Sequence, residues 1–207
     1  MDGSGARIDR GPVIRATGMG APTPIATPSG WRVAAELRPG DLVLCLDGPP
    51  QAVSLCHHAT LTADLPVSYW PLLVPAGALD NRTELRLLPE QTLLIEHDLA
   101  DDLFGDPFAL LPVLALDGWR GIIPCHPEGR EAVVSLAFAA PQIIHAGRGV
   151  MLGCPGRPAA LRARTQPVLT MDQARHLIGC IRASEIGQAL RAARGSQAAA
   201  LWAPNRR

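Results

Sequence analysis

The sequence predicts a mainly β fold followed by one C-terminal amphipathic helix. Three observations lead there. Apolar runs of about four to eight residues alternate with Pro and Gly through residues 20–156, the spacing of strands and turns. The chain holds 20 Gly and 20 Pro in 207 residues, so turn-forming backbone recurs throughout. After residue 170 the period changes, and Ala174, Leu177, Ile178, Ile181, Ile186, Ala189, Leu190 and Ala193 fall on one helical face.

Residues 1–17 lack periodicity and read as a tail, with the stretch to Met19 open to use as an added edge strand. Residues 25–46 (IATPSGWRVAAELRPGDLVLCL) read as one device. Residues 25–27 form a short strand, Pro28-Ser29-Gly30 a turn, and residues 31–33 the returning strand. Arg38-Pro39-Gly40-Asp41 makes a second turn before the apolar strand 42–46. Further strands are expected at 53–56, 72–74, 85–88, 93–95, 133–138 and 143–145. Residues 96–104 (EHDLADDLF) suit one or two helical turns. Residues 108–116 read as a second short helix or an irregular loop. Residues 157–169 form an Arg/Pro/Ala-rich linker. The helix spans 170–195, opened by the capping box Thr170–Gln173 and stopped at Gly195. Residues 196–207 are a tail. The β domain is therefore expected over 18–156.

Composition sets limits on function. Hydrophobic residues make up 47%, which suits a globular chain. Aromatics are only 4%, so the core is aliphatic. Formal net charge is zero, without the basic footprint of a nucleic-acid binder. Every basic residue is Arg. No apolar run approaches the ~20 residues that span a bilayer, and residues 1–10 (MDGSGARIDR) hold no apolar signal core. The expected location is cytoplasmic. Five cysteines without C-x-x-C spacing suit free thiols in a reducing compartment.

The blocks at 25–46 resemble the opening of Hint domains, the Hedgehog/intein self-processing family. They are similar to a bacterial subgroup that reads G-T-x-I-A-T-P-x-G … L-x-P-G-D-x-V-L. The likeness continues in order through Val74-Pro75-Ala76-Gly77-Ala78-Leu79, Asn81-Arg82 and Leu85-Arg86-Leu87-Leu88-Pro89. It goes on through Gly105-Asp106-Pro107-Phe108, Gly118-Trp119-Arg120-Gly121-Ile122, Ile143-Ile144-His145-Ala146-Gly147 and Cys154-Pro155-Gly156. It covers roughly residues 18–156 and implies a pseudo-two-fold horseshoe of short strands.

The resemblance also implies a chemistry. Hint domains cleave the peptide bond at their own N-terminus: a Cys, Ser or Thr attacks the preceding carbonyl, and a His with a hydroxyl residue polarises the amide and protonates its nitrogen. Registering I-A-T-P on residues 25–28 puts the nucleophile position at Gly18, which carries none. Thr17 is the neighbouring hydroxyl. Registering Leu87-Leu88-Pro89-Glu90-Gln91 on the family's S-P-Q-H puts Gln91 at the His position and Leu88 at the hydroxyl position. Gln donates a hydrogen bond but cannot shuttle a proton near neutral pH. The only asparagines are Asn81 and Asn205, and neither closes the domain, so splicing is excluded.

His97 stands close to the Gln91 block, among Glu96, Asp98, Asp101 and Asp102. It reads as a displaced catalytic His, a metal ligand or part of a solvated helix face. Cys154 lies near the expected closing turn, as a reactive or a buried thiol. Cys45 reads as a buried hydrophobe. Cys56-His57-His58 and Cys125-His126 resemble metal ligands, but adjacent strand residues point to opposite faces, and no metal site or cofactor is assigned. Trp31 and Trp119 are expected in core or lid packing, Trp202 in a partner contact, and His145 and His176 in structural roles.

Three functions compete. The first is a Hint domain that has lost autoproteolysis and acts as a structural or binding module. The second is a self-processing protein with relocated groups Thr17, Cys154 and His97. The third is an unrelated β-rich ligand- or metal-binding domain. In each, the apolar face of 170–193 packs on the domain, on a second copy or on a partner protein.

Overall fold

The computed structural model describes residues 17–156 and 167–201, with side chains through residue 192. The elements are β1 (Met19–Gly20), β2 (Pro24–Thr27), β3 (Gly30–Val33), β4 (Leu42–Val43), β5 (Gln51–Thr62), β6 (Leu72–Val74), β7 (Leu85–Leu87) and β8 (Thr92–Glu96). There follow α1 (Asp98–Phe104), β9 (Phe108–Pro112), β10 (Ile123–Pro124), β11 (Arg130–Phe138), β12 (Gln142–Ala146), β13 (Val150–Cys154) and α2 (Met171–Leu201). Short 3₁₀ turns occupy Ala34–Glu36, Val67–Tyr69 and Val113–Leu116.

The strands form two antiparallel sheets. One runs β10-β6-β7-β1-β11-β5-β4 and the other β3-β2-β12-β13-β8-β9. A shared, mostly aliphatic core joins them, built on Ile25, Leu72, Leu93, Leu111, Leu136, Phe138 and Leu152. Leu61, Leu88 and Val133 form a smaller cluster on the other face of β11. The mainly β fold with a C-terminal helix is as the sequence predicts.

Several elements differ from the expectation. Met19 is no edge residue: β1 lies between β7 and β11, and Met19 pairs with both Leu87 and Val134. Residues 108–112 are a strand rather than a helix or loop: they pair with β8, and Ala109, Leu110 and Leu111, buried on both faces, show no alternation. β5 runs for 12 residues, well past the expected 53–56, because β11 pairs along its length.

The helix does not stop at Gly195 and continues to Leu201, so residues 196–201 are helix rather than tail. The following Ala198, Ala199 and Ala200 are the strongest helix formers and offset the roughly 1 kcal/mol cost of an interior Gly. Residues 1–16, 157–166 and 202–207, with Trp202 and Asn205, lie outside the described residues. At the end of the expected linker, Val168 bridges Leu110 in parallel and Leu169 N–H donates to the Leu110 carbonyl.

The Thr170–Gln173 capping box is present in both directions, at 2.9 and 3.3 Å. Ala174, Leu177, Ile178 and Ile181 bury in the main core. Beyond them the face opens, and Ile186 and Leu190 are 61% and 58% exposed. Glu185 sits at this divide. It accepts from Trp119 Nε1 at 3.0 Å and from Arg120 at 2.7 and 3.2 Å, while the Arg120 guanidinium stacks 4.4 Å over Trp119. Burial opposes its ionisation, but the bonds from Trp119 and Arg120 and the Arg120 charge outweigh that and hold its carboxyl low. No helix among the described residues is long and apolar enough to cross a membrane.

Candidate functional site

The two positions that the sequence singles out lie at the start of β1 and just before β8. Gly18 precedes β1 with φ +149°, a conformation open to glycine and rare for other residues. Its carbonyl accepts from Leu88 N–H at 2.9 Å. A Cβ there would stand 2.8 Å from Ser135 Oγ and 3.0 Å from the Val134 carbonyl oxygen. Ser135 Oγ in turn donates to the Thr17 carbonyl oxygen at 2.6 Å. The carbonyl preceding the expected nucleophile position is therefore held by a side chain from β11. Sequence reasoning missed Ser135. Its only signal is its register on β11, one residue past Val134, the partner of Met19.

Gln91 is buried, and its Nε2 donates to the Thr92 carbonyl at 2.9 Å and the Gly153 carbonyl at 2.8 Å. Both amide protons are thus committed to backbone, tying the entry of β8 to β13. Leu88, at the expected hydroxyl position, is buried in the smaller cluster.

Thr17 and Cys154 share a cavity of about 570 Å³, lined also by Glu90, Thr92, Leu110, Ile143 and Val168. Cys154 is 5% exposed. Burial, with a contribution from Cys45, pushes its thiol up to about 12, so it is protonated at neutral pH and a poor nucleophile. His97 lies elsewhere, on a cleft of about 300 Å³ with Glu96, Phe108, Trp119 and Arg120. Its Nδ1 accepts from Leu99 N–H at 3.0 Å and caps α1. The structure brings Thr17 and Cys154 together and leaves His97 apart.

The other polar residues lie as follows. Cys56 Sγ and His58 Nε2, two residues apart on one strand face, lie 3.3 Å apart. His126 Nε2 donates to the Ala63 carbonyl at 2.9 Å and meets Trp70 edge-on at 4.7 Å. No cluster of three His, Cys, Asp or Glu residues suits a metal among the described residues. Trp119 is buried, but Trp31 is 41% exposed under the Arg148 guanidinium, which places it outside the core. β3 is poorly covered on its faces: Gly30 and Trp31 are exposed and Arg32 and Val33 half-buried. His145 is half-buried, and His176 is exposed, 3.9 Å from Cys180.

The chain is similar to the MchDnaB-1 intein (16% identity, TM-score 0.40), covering 66% of this chain and 98% of that one. It is similar to a bacterial intein-like domain from Clostridium thermocellum (13%, 0.47), covering 65% and 96%. It is also similar to the Msm DnaB1 intein splicing domain bound with zinc (15%, 0.39), covering 67% and 99%. No curated protein matches it. The Hint domain profile matches residues 18–150, more than half of the chain. The reading as an unrelated β-rich domain is thereby overturned: the chain belongs to the Hint-domain family.

Proposed function

We propose that this Hint domain has lost autoproteolysis and serves as a structural or binding module. The observation that carries the reading is the packing at Gly18. An acyl shift needs a nucleophilic side chain beside the preceding carbonyl. Here Ser135 Oγ and the Val134 carbonyl fill the place where a Cβ would stand. Gln91 supports it, since a side chain with both amide protons bound to backbone carbonyls neither polarises a scissile amide nor delivers a proton to it.

The second reading, self-processing through relocated groups, has one observation in its favour: Thr17 and Cys154 line the same cavity. Against it stand the protonated Cys154 thiol and the distance of His97 from that cavity. The test is the intact mass of the protein expressed behind a folded N-terminal fusion and followed over hours with and without thiol. An unchanged mass is the expected result. Release of the fusion between Thr17 and Met19, faster with thiol, would overturn the proposal.

A further inference from the structure

β5 carries a second feature, unrelated to the cleavage position. Ala21 N–H donates to the Ala132 carbonyl at 2.9 Å, so alternate residues of β11 from Ala132 face β1. Glu131, Val133, Ser135 and Ala137 then face β5, where they pair with Leu61, Ala59, His57 and Leu55. The backbone N–H and C=O groups of Cys56, His58 and Thr60 therefore point away from β11.

On that side β4 reaches only Gln51 and Ala52. Gly40 and Asp41 bond Val53, and Leu65 N–H takes the Thr62 carbonyl. Among the described residues, nothing pairs with the open side at 56, 58 and 60. Strand edges are ordinarily guarded by charge, Pro or close cover. The β5 sequence QAVSLCHHATLT holds no Asp, Glu, Lys, Arg, Pro or Gly, and Leu55 is 47% exposed on it.

We propose that this open edge of β5 pairs antiparallel with the same edge of a second copy of the chain, about a two-fold axis at His58. The register follows from the strand. With the axis at His58, Cys56 stands opposite Thr60 of the partner subunit, and the two His58 residues face each other. All three outward residues of each copy are then paired, giving six backbone hydrogen bonds. The same register sets Leu55 opposite the partner's Leu61. No charge on β5 opposes the approach, and the zero net charge of the chain leaves no general repulsion between copies.

The experiment is sedimentation equilibrium of the full chain over a wide concentration range. The expected mass rises from 21.9 kDa toward twice that value. His58→Pro removes an outward N–H without touching the β11 ladder. His58→Lys keeps the N–H but sets like charges across the axis. Both are expected to return the protein to monomer, with circular dichroism unchanged for His58→Lys. Thr60→Cys is expected to form a covalent dimer with the partner's Cys56 under an added thiol oxidant, and Thr60→Cys/Cys56→Ala is not. A monomer at every concentration would overturn the proposal. So would a dimer whose affinity is unchanged in His58→Lys.

Discussion

A Cys introduced at Gly18 meets two obstacles. Its φ of +149° is strained for a side chain, and its Cβ collides with Ser135 Oγ and the Val134 carbonyl. Gly18→Cys is therefore expected to lower stability by about 1–3 kcal/mol in a denaturant melt and to leave the mass of an N-terminal fusion unchanged. A cleaved fusion would show that the junction relaxes around the new thiol. Cys154 gives a second residue-level test. With its thiol pushed up to about 12, it is expected to resist alkylation at neutral pH together with buried Cys45, while the half-buried Cys56, Cys125 and Cys180 are modified. Mass spectrometry of the labelled native and unfolded protein reads the difference. Gly18, Gln91 and Cys154 were singled out in the sequence through their place in the family's blocks. Ser135 was not, because its bond to Thr17 spans 118 residues and no local pattern marks it.

At the scale of elements, α2 divides at Glu185. Ile181→Ala opens a cavity in the main core and is expected to cost about 2–5 kcal/mol. Leu190→Ala, on the exposed turn, is expected to stay within about 0.5 kcal/mol. Equal losses in the two melts would mean that the distal half is covered. Glu185 adds a pH dependence. Its folded pKa lies below its unfolded value, so its stabilisation is present above the ordinary carboxylate range and is lost as pH falls through the lowered value. The carboxylate is partly exposed, so the effect is at most about 1 kcal/mol. Melting temperatures of wild type and Glu185→Gln are expected to differ at neutral pH and converge in acid. A gap that persists in acid would exclude the charge as its cause. The Thr170–Gln173 cap was legible because its two partners sit three residues apart. The Glu185 clasp was not, since Trp119 and Arg120 lie on a distant turn.

For the whole molecule, both sheets and the first half of α2 bury into one core, so a single cooperative transition is expected, with the near-ultraviolet signal of buried Trp119 and far-ultraviolet dichroism coinciding. Separate transitions would place α2 outside the core. The sheet architecture was legible where Pro and Gly punctuate the chain, as at residues 25–46. It failed where burial erased alternation, in β9, and where a partner strand sets the length, in β5.

The placement of β1 bears on how the chain comes to be folded. Met19 emerges from the ribosome well before its neighbours Leu87 and Val134. The sheet centre cannot form until most of the domain has been synthesised. Such distant pairing slows folding, so β1 waits unpaired until β7 and β11 have been made. A truncated chain lacking β11 would lack both the middle of its larger sheet and the partner that fixes the full length of β5.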